Sequence, residues 1–379
     1  MKLRKIQLHS FRKHNHLSLE LDTTQNNVNI IYGDNGSGKT NILEAIHIAC
    51  LSKNFLSLSD SDCVTFGDSF YEISADFESN HNIQTTGRVY YSETEGKHIF
   101  LGKSELEHFS KLIGEYPCIS LSPDDMQLAK GTPQERRRFL DSTISQTNRL
   151  YLSHLQNYKR SLTQRNKILN DLKIKHTTEL HSLLDVWTEN LCQSGASIMK
   201  ERILFTREFS IQLQNAYHSF HTFTEQPTLV YDSDIALPDT PEEKLLFEHL
   251  WLRYGEVMSD EVRRGVTLFG PHRDDLSFRI NDFSIRKFAS QGQQKTFVIC
   301  LKLAQRSYIE SRIGEQPIFL LDDVFSELDQ GRCEELISLL QPLGQSIITT
   351  TEPRGFKNTN EISILSISNQ NDKEGKPSL

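Results

Sequence analysis

One glycine-rich segment, Gly33–Thr40, constrains the fold of this chain more than any other part of its sequence. The segment matches the pattern GxxxxGK(S/T) in full, between an apolar run at 28–31 and residues 39–51, where apolar residues recur at helical spacing. In a loop between a strand and a helix, glycines let successive backbone N–H groups turn inward around phosphates, and the helix N-terminus adds its positive end. The predicted ATP-binding residues are Gly33, Asp34, Asn35, Gly36, Ser37, Gly38, Lys39 and Thr40.

A second motif of the same chemistry lies far downstream. The apolar run Ile318–Leu321 ends in two carboxylates, Asp322 and Asp323, which is the Walker B pattern. We expect Lys39 to reach the β- and γ-phosphates of ATP, and Thr40 and Asp322 to hold Mg²⁺. Asp323 stands where a general base would orient the attacking water. Lys39, Asp322 and Asp323 are therefore the predicted catalytic residues of an ATPase.

The separation of these motifs determines the predicted layout. Lys39 and Asp322 are 283 residues apart in sequence, yet the chemistry at Mg²⁺ requires them to be neighbours in space. Both chain ends must therefore contribute to one sheet, with the middle of the chain inserted as a separate lobe. We predict an α/β fold: an ABC-type P-loop ATPase head, with a mixed sheet, flanking helices and an antiparallel β subdomain, and an inserted lobe that is mainly α-helical.

Local patterns suggest where these parts begin and end. Short alternating stretches between residues 70 and 101 predict antiparallel hairpins. Thr132 to Glu135 resembles a capping box with proline at the first helical position, so a long helical region is expected from there to about residue 220, and another helix at 242–258. The predicted domains are 1–121 for the N-terminal part of the head, 122–262 for the helical lobe, 263–368 for the C-terminal part of the head, and 369–379 for a disordered tail.

A third motif lies about 27 residues before the second one. Ser290–Lys295 opens a predicted helix and resembles the ABC signature, in which a serine and backbone amides face a γ-phosphate bound by another subunit. This interpretation assigns Ser290, Gly292 and Gln293 to a site in trans, whereas an ordinary serine N-cap is the alternative. Residues 326–329 match the D-loop, which crosses a dimer interface, and make Asp329 its key residue.

The charge distribution points to a polyanionic partner. The chain has a formal net charge of −8, but residues 130–180 contain eleven Lys/Arg and only four Asp/Glu. On an ideal helix Arg149, Arg160 and Lys167 share one face, opposite a cluster of leucines, and are candidate DNA-binding residues. An ordinary solvated surface, or a surface that meets acidic protein, would explain the same stripe.

Two further clusters allow more than one interpretation. The arginines at 136–138 lie near the positive end of a predicted helix, which is mildly unfavourable, so we expect them either to pair with acids or to contact phosphate. His272 with Asp274 and Asp275 has the composition of a metal site, but a loop held by structural hydrogen bonds is the preferred interpretation.

Composition narrows the setting. No apolar run approaches the roughly 20 residues that cross a bilayer, and the N-terminus lacks the apolar core of a signal peptide, so a cytoplasmic protein without membrane association is expected. The six cysteines are scattered without a CxxC pair, which favours reduced, mostly buried thiols over a zinc site.

The motifs together resemble the RecF family over residues 1 to about 355. The resemblance is carried by residues 10–12, 33–46, 122–125, 130–133 with 136–141, 270–275, 290–295 and 320–329. It implies an ATP-dependent homodimer that binds single-stranded, gapped or linear duplex DNA in recombinational repair and replication-fork maintenance. It also implies recombinase loading with RecO and RecR, support of the SOS response, and contact of Arg12 with the nucleotide base.

Two departures from ABC proteins at large predict weak ATP hydrolysis. Asp323 replaces the usual glutamate, and the predicted strand 347–351 ends in threonines where most ABC ATPases have a switch histidine. Two rival classes are a transporter nucleotide-binding subunit and an ATP-gated nuclease. The long helical insert disfavours the transporter, and the short stretch after Asp329 disfavours the nuclease.

Overall fold

The contacts within the chain define two compact units. The first comprises Met1–Asp125 and Gln305–Leu379, and the second comprises Met126–Ala304. The computed structural model describes residues 1–21, 23, 27–56, 58–219, 225–324, 330–351 and 362–367. Residues 263–304 group with the helices of the second unit, whereas the sequence interpretation joined them to 305–368. The domain boundaries proposed from the sequence stay a prediction.

The N-terminal part of the first unit is built mainly from strands. Its elements are β1 (Lys2–Phe11), β2 (His14–Glu20), β3 (Val28–Tyr32), α1 (Lys39–Leu51), β4 (Phe70–Glu78), β5 (Gln84–Ser92), β6 (Gly96–Leu101), β7 (Ser104–Glu105) and β8 (Cys118–Leu121). Over the described residues, one sheet has the order β2-β1-β4-β5-β6-β7 with every neighbouring pair antiparallel. Buried and half-buried residues alternate along β4, as expected where one face of a sheet is packed. The predicted hairpins between 70 and 101 are confirmed.

The second unit contains the long helices. Its elements are α2 (Gln127–Lys130), α3 (Pro133–Thr147), α4 (Arg149–Leu172), α5 (Thr178–Ser219), β9 (Pro227–Asp232), α6 (Glu243–Arg264), β10 (Asp275–Ile280), β11 (Phe283–Ser284), α7 (Ile285–Phe288) and α8 (Gln291–Ile313), whose last residues enter the first unit. The helical region predicted to reach about residue 220 is present but interrupted. Asn148 ends α3 and caps α4 by accepting a hydrogen bond from the backbone N–H of Tyr151 at 3.1 Å.

One predicted helix cap and one predicted helix end need correction. α3 begins at Pro133 as predicted, but the Thr132 side chain makes no capping hydrogen bond, and the Glu135 N–H donates to the Thr132 carbonyl instead. The helix predicted at 242–258 continues to Arg264 and stops at Gly265, whose φ of 72° is left-handed.

Buried ion pairs connect the elements of the second unit. The Arg165 guanidinium is fully buried and donates to the equally buried Glu261 carboxylate at 2.6 Å. Arg202 donates to Asp141 at 2.8 Å and to the Pro271 carbonyl at 2.6 Å. A buried charge is tolerated only when it is paired and hydrogen-bonded, so these contacts hold α4 to α6 and α5 to α3.

The C-terminal part completes the first unit with β12 (Ile318–Asp322), α9 (Gln330–Leu340), β13 (Ser346–Thr350) and β14 (Ile362–Ser366). In the part of the chain that the structure describes, a second sheet of this unit has the order β14-β3-β13-β12-β8, and all its pairs are parallel. β12 and β13 are buried along their whole length, which is typical of parallel strands covered on both faces. As the spacing of the motifs predicted, the sheet combines strands from both chain ends.

The cysteines and the hydropathy of the helices were the remaining expectations from composition. Five cysteines are buried and Cys333 is half-buried, and all six are free thiols, as predicted. Among the described helices, none has the length and apolar character needed to cross a membrane.

Candidate nucleotide-binding site

The parallel sheet brings the two phosphate-site motifs together. The glycine-rich loop follows β3, and Asp322 is the last residue of β12, so both lie at the carboxyl edge of the sheet, where ligands of such sheets bind. The Thr40 hydroxyl donates to the two carboxylate oxygens of Asp322 at 2.9 and 3.1 Å. A threonine hydroxyl and a carboxylate are oxygen ligands of the kind that Mg²⁺ prefers, so this pair fits a magnesium site.

The loop itself has the conformation expected of a phosphate cradle. Gly36 and Gly38 have φ values of 78° and 94°, which residues other than glycine rarely adopt. The Lys39 ammonium donates to the carbonyls of Gly33 and Asp34 at 2.7 and 2.8 Å, which holds it across the loop. Burial lowers the pKa of Lys39, while the carboxylates of the two Walker B aspartates oppose that shift.

Thr349, on β13, connects the two Walker B aspartates. Its hydroxyl donates to Asp322 Oδ1 at 2.7 Å and accepts from the Asp323 backbone N–H at 3.1 Å. Asp323 has a left-handed φ of 48°, and its N–H also points at the Thr349 carbonyl at 3.2 Å. Burial raises the pKa of Asp322, whereas the hydrogen bonds from Thr349 and Thr40 favour its ionised form. In the sequence this threonine was noted only because the strand ends in threonines where most ABC ATPases have a switch histidine.

The turn between β1 and β2 packs against the glycine-rich loop. Lys13 donates to the Gly36 carbonyl at 2.7 Å, and the buried His14 ring contacts the Gly38 carbonyl at 3.1 Å. A Cβ atom at Gly38 would meet His14 Nε2 at 2.6 Å, so this close approach also requires glycine there. Neither Lys13 nor His14 belongs to a recognisable motif, and sequence reasoning missed both.

Arg12, expected at the nucleotide base, is bound to Glu44 on α1. Its guanidinium donates to both Glu44 carboxylate oxygens at 3.1 and 3.2 Å, and the carboxylate is completely buried. Asn41 and Asn54 each donate to Glu44 at 2.9 Å. The contact of Arg12 with a base stays a prediction. Glu44 was missed, although a carboxylate within the apolar stretch of α1 is a signal that could have identified it.

The signature-like segment starts α8 in the second unit. Ser290 Oγ accepts from the Gln293 N–H at 3.2 Å, and Gln293 Oε1 accepts from the Ser290 N–H at 2.8 Å, which forms a capping box. The ordinary N-cap interpretation is therefore satisfied, and the role of Ser290, Gly292 and Gln293 in trans stays a prediction. Asp329, the proposed D-loop residue, lies outside the described residues.

The candidate DNA-binding residues lie on the exposed face of α4. Arg149, Arg160 and Lys167 are all exposed, while Tyr158 and Leu169 on the opposite face are buried. This agrees with the predicted amphipathic helix, but contact of the three cations with DNA stays a prediction.

The arginines at 136–138 have structural roles. Arg136 is buried and donates to both carboxylate oxygens of Asp275 at 2.9 and 2.8 Å, and Arg137 donates to the Asp274 carbonyl at 2.7 Å. Arg138 pairs with Glu135 at the surface. Of the two interpretations left open, pairing with acids describes Arg136. Its guanidinium is buried against the Asp275 carboxylate and is not available to a phosphate.

His272 and its neighbouring aspartates also form structural contacts. His272 Nδ1 is 2.7 Å from the Tyr158 hydroxyl, and the Tyr231 hydroxyl donates to the Asp274 carboxylate. Burial lowers the pKa of His272 to about 4. No metal-binding group of three ligands occurs among the described residues, and the hydrogen-bonded loop is the arrangement found.

Comparison with known proteins places this site in a family. A family model for the RecF/RecN/SMC N-terminal domain matches residues 2–374. The DNA replication and repair protein RecF of Chloroherpeton thalassium is 51% identical over 367 residues, covering 96% of this chain and 98% of that protein. The RecF protein of Prosthecochloris aestuarii is 41% identical over 365 residues, covering 96% and 97%.

Solved structures agree with the sequence comparison. The recombination mediator protein RecF-ATPrS in the RecFOR pathway superposes with a TM-score of 0.88 at 29% identity, covering 95% of this chain and 97% of that one. An Smc head domain from Pyrococcus furiosus superposes with a TM-score of 0.53 at 16% identity, covering 97% and 94%, which shows a related fold alone. The predicted ABC-type head with helical content is therefore confirmed, and the chain belongs to the RecF family of DNA replication and repair proteins.

Proposed function

We propose that this protein binds ATP and Mg²⁺, dimerises when ATP is bound, and in that form binds DNA during recombinational repair and replication-fork maintenance. One observation carries the proposal more than any other. The Thr40 hydroxyl and the Asp322 carboxylate, 282 residues apart in sequence, form a hydrogen bond at the carboxyl edge of the parallel sheet. That contact supports the proposal because phosphate and metal binding would require both motifs side by side, and neither motif could supply the site alone.

Each residue of the site has a distinct task. The loop amides and Lys39 bind the phosphates, and Lys39 exchanges the carbonyls of Gly33 and Asp34 for phosphate oxygens when ATP enters. Thr40 and Asp322 would hold Mg²⁺, which when bound would supply positive charge beside the phosphates. Asp323 orients the attacking water, and Arg12 contacts the base from its support on Glu44.

Hydrolysis is proposed to be slow. Aspartate is one methylene shorter than the glutamate usual at this position, so the carboxylate of Asp323 reaches less far toward a water molecule. Its backbone is held in a left-handed conformation by Thr349, which limits how much the side chain can be re-aimed. ATP then acts as a timer for dimerisation more than as a source of mechanical work.

Dimerisation would place the signature segment of one copy against the ATP of another. Gly292 supports this role, because a Cβ atom there would meet only Ser290 Oγ, at 4.0 Å, and its φ is not left-handed. Among the residues that the structure describes, nothing therefore requires glycine in the first turn of α8, and glycine costs a helix roughly 0.5–1 kcal/mol relative to alanine. Close approach of a second molecule gives a reason for it.

The DNA and protein partners follow from the family. One solved relative is a recombination mediator of the RecFOR pathway, and from it we propose RecO and RecR as partners in recombinase loading and support of the SOS response. The exposed cations Arg149, Arg160 and Lys167 are the proposed DNA contacts. Single-stranded, gapped and linear duplex DNA are the candidate substrates, and the cytoplasm is the proposed location.

A DNA-binding assay with matched variants tests this function. Fluorescence anisotropy would compare gapped, single-stranded and duplex DNA with and without ATP, and we expect ATP to increase the affinity for at least one of them. Lys39→Ala should abolish ATP binding, and with it the ATP-dependent gain. Unchanged nucleotide affinity of Lys39→Ala in an equilibrium titration would show that the phosphate site is wrongly assigned.

Two further variants separate hydrolysis from dimerisation. Asp323→Asn should retain ATP and slow its turnover, and a parental rate would mean that another residue is the base. Ser290→Arg should bind ATP as a monomer but fail to dimerise in sedimentation velocity. A normal ATP-induced dimer of Ser290→Arg would contradict the role of the signature segment in trans.

A further inference from the structure

Two large apolar side chains are exposed just before the signature segment. Phe283, on β11, keeps 63% of its surface exposed, and Phe288, on α7, keeps 68%. Their ring centroids are 5.9 Å apart and the rings meet edge to face at 74°. Two adjacent exposed aromatic rings form an apolar patch of the kind that marks an interaction site, whereas a single exposed ring would need no explanation.

The patch is rigidly supported. Asn281 and Asp282, with φ of 47° and 65°, form a tight turn that pairs Phe283 with Ile280. Ile285, between the two rings, is 1% exposed and anchors the segment in the core of the second unit. A patch fixed in this way loses little conformational entropy when a partner covers it.

A second contact ties the patch to the signature helix. The buried Gln294 side chain of α8 lies with its amide nitrogen 3.4 Å from the Ile285 carbonyl and 3.3 Å from the Ala289 carbonyl. Phe288 is only two residues before Ser290 in sequence. The segment that carries the rings and the signature serine are therefore joined to the start of α8 by the same side chain.

The charges around the rings favour an acidic partner. Arg286 and Lys287 are both exposed on the same short segment, where Asp282 is the carboxylate nearest in sequence. Met126–Ala304 contains 24 Lys/Arg and 21 Asp/Glu, whereas the remaining residues contain 18 and 29. The unit that holds the glycine-rich loop is thus strongly acidic, and the unit that carries the patch is mildly basic. A second copy of this chain offers the complementary charge.

The geometry of the rings favours protein over nucleic acid. Bases of single-stranded DNA stack face to face on aromatic side chains. The edge of one phenylalanine here covers part of the face of the other, which leaves no parallel slot between them. Such a pair is suited to filling an apolar depression on a protein surface, as aromatic anchors at the centre of interfaces do.

We propose that Phe283 and Phe288, flanked by Arg286 and Lys287, are the apolar anchor by which one copy of this chain docks on the acidic, loop-bearing unit of a second copy in the ATP-bound dimer. This inference rests on the proposed dimerisation and adds to it the residues that supply its affinity. The signature segment recognises whether a nucleotide is present, and the aromatic pair supplies the contact area.

The test is the double variant Phe283→Ser/Phe288→Ser, which removes exposed rings without opening the core. Its matched control is Ile174→Ser/Leu252→Ser, which removes exposed apolar side chains of 89% and 64% exposure from the same unit. The dimer dissociation constant is measured by sedimentation velocity with ATPγS and Mg²⁺, and nucleotide affinity is measured separately at a concentration where the protein is monomeric.

We expect the phenylalanine variant to bind ATPγS like the parent but to dimerise at least about 30-fold more weakly, the factor that corresponds to loss of a single interface hot spot. The control should dimerise like the parent. If the phenylalanine variant dimerises like the parent while Ser290→Arg stays monomeric, this inference is refuted and the proposed function is left intact. A normal dimer with lost affinity for single-stranded DNA would assign the rings to nucleic acid and overturn it too. Absence of any nucleotide-induced dimer in the parent would refute both proposals.

Discussion

Replacing Thr349 tests whether this residue organises the metal site or only fills the core. The hydroxyl lies between the Walker B aspartates, donating to the Asp322 carboxylate and accepting from the Asp323 N–H. Valine has the same shape without the hydroxyl, and serine keeps the hydroxyl but loses a methyl group. Because Thr349 is only 1% exposed, water cannot replace the hydrogen bond lost in one variant or the packing lost in the other. The two substitutions therefore separate hydrogen bonding from packing.

The hydrogen bonds determine the expected size of each effect. Thr349→Val removes a hydrogen bond to a charged acceptor, worth about 1.5–3 kcal/mol, while the Asp323 N–H still has the Thr349 carbonyl at 3.2 Å. Thr349→Ser removes one buried methyl group, worth roughly 1 kcal/mol. For a unit of this size each kcal/mol shifts Tm by about 2–4 °C. We therefore expect Thr349→Val to lower Tm about twice as much as Thr349→Ser.

The functional measurement is a Mg²⁺ titration. Losing the Thr349 hydroxyl makes ionisation of Asp322 less favourable, so Thr349→Val should need about tenfold more Mg²⁺ for half-maximal ATP binding, an effect of about 1.4 kcal/mol. Thr349→Ser should titrate like the parent. The control is Thr206→Val on α5, whose hydroxyl donates only to the Arg202 carbonyl of the same helix at 2.8 Å, and it should leave the Mg²⁺ requirement unchanged.

The opposite order of effects would refute this reasoning. If Thr349→Ser lowers Tm more than Thr349→Val, and both titrate with Mg²⁺ like the parent, the residue contributes packing alone. Asp322 would then be positioned by Thr40 and by the end of β12 without help from β13.

Three other outcomes are expected. Replacing Arg149, Arg160 and Lys167 by glutamate should weaken DNA binding and make its salt dependence less steep. The slope of log affinity against log salt concentration, measured by anisotropy, should decrease by roughly 0.7 per lost contact on single strands and 0.9 on duplex. An unchanged slope with intact ATP binding would mean that the DNA contacts lie elsewhere. Because burial lowers the pKa of His272 to about 4, the unfolded chain binds more protons than the folded protein between about pH 6.5 and 4, and the free energy of unfolding should fall by up to about 3 kcal/mol as the pH is lowered through that range. His272→Asn should remove this part of the decline, measured by chemical denaturation at several pH values. An identical pH profile of the variant and the parent would contradict the assignment. Gly292→Ala should leave the fold as stable or more stable by roughly 0.5–1 kcal/mol while impairing ATP-induced dimerisation, and a normal dimer by sedimentation would remove the reason given for that glycine.

Local sequence was a reliable guide wherever the structure depends on neighbouring residues. The helix predicted at 39–51 matches α1 at both ends, because Gly38 can adopt the left-handed conformation that starts it. The apolar run at 318–321 lies in β12, and the strand predicted at 347–351 differs from β13 by one residue at each end, since a short continuous stretch of buried residues suits a parallel strand. The helix predicted at 242–258 was too short, because the stop signal at Gly265 was missed.

The roles of side chains whose partners are far away in sequence could not be predicted in the same way. The sequence left open whether Arg136 pairs with an acid or contacts phosphate, and its actual partner, Asp275, lies 139 residues away. Glu44 receives Arg12 only because the turn after β1 folds over α1. In each case the charge was visible in the sequence, while its partner depended on how strands and helices pack.

The sequence by itself therefore determined the phosphate loop, the Walker B strand and the need to unite them, because the amides that surround a phosphate come from a few contiguous residues. Tertiary structure decided which side chains stand around that loop. Thr349 from β13 and His14 from β2 reach the site through strand order and register, and a hydrogen bond of about 3 Å between residues far apart in sequence depends on the whole fold being in place.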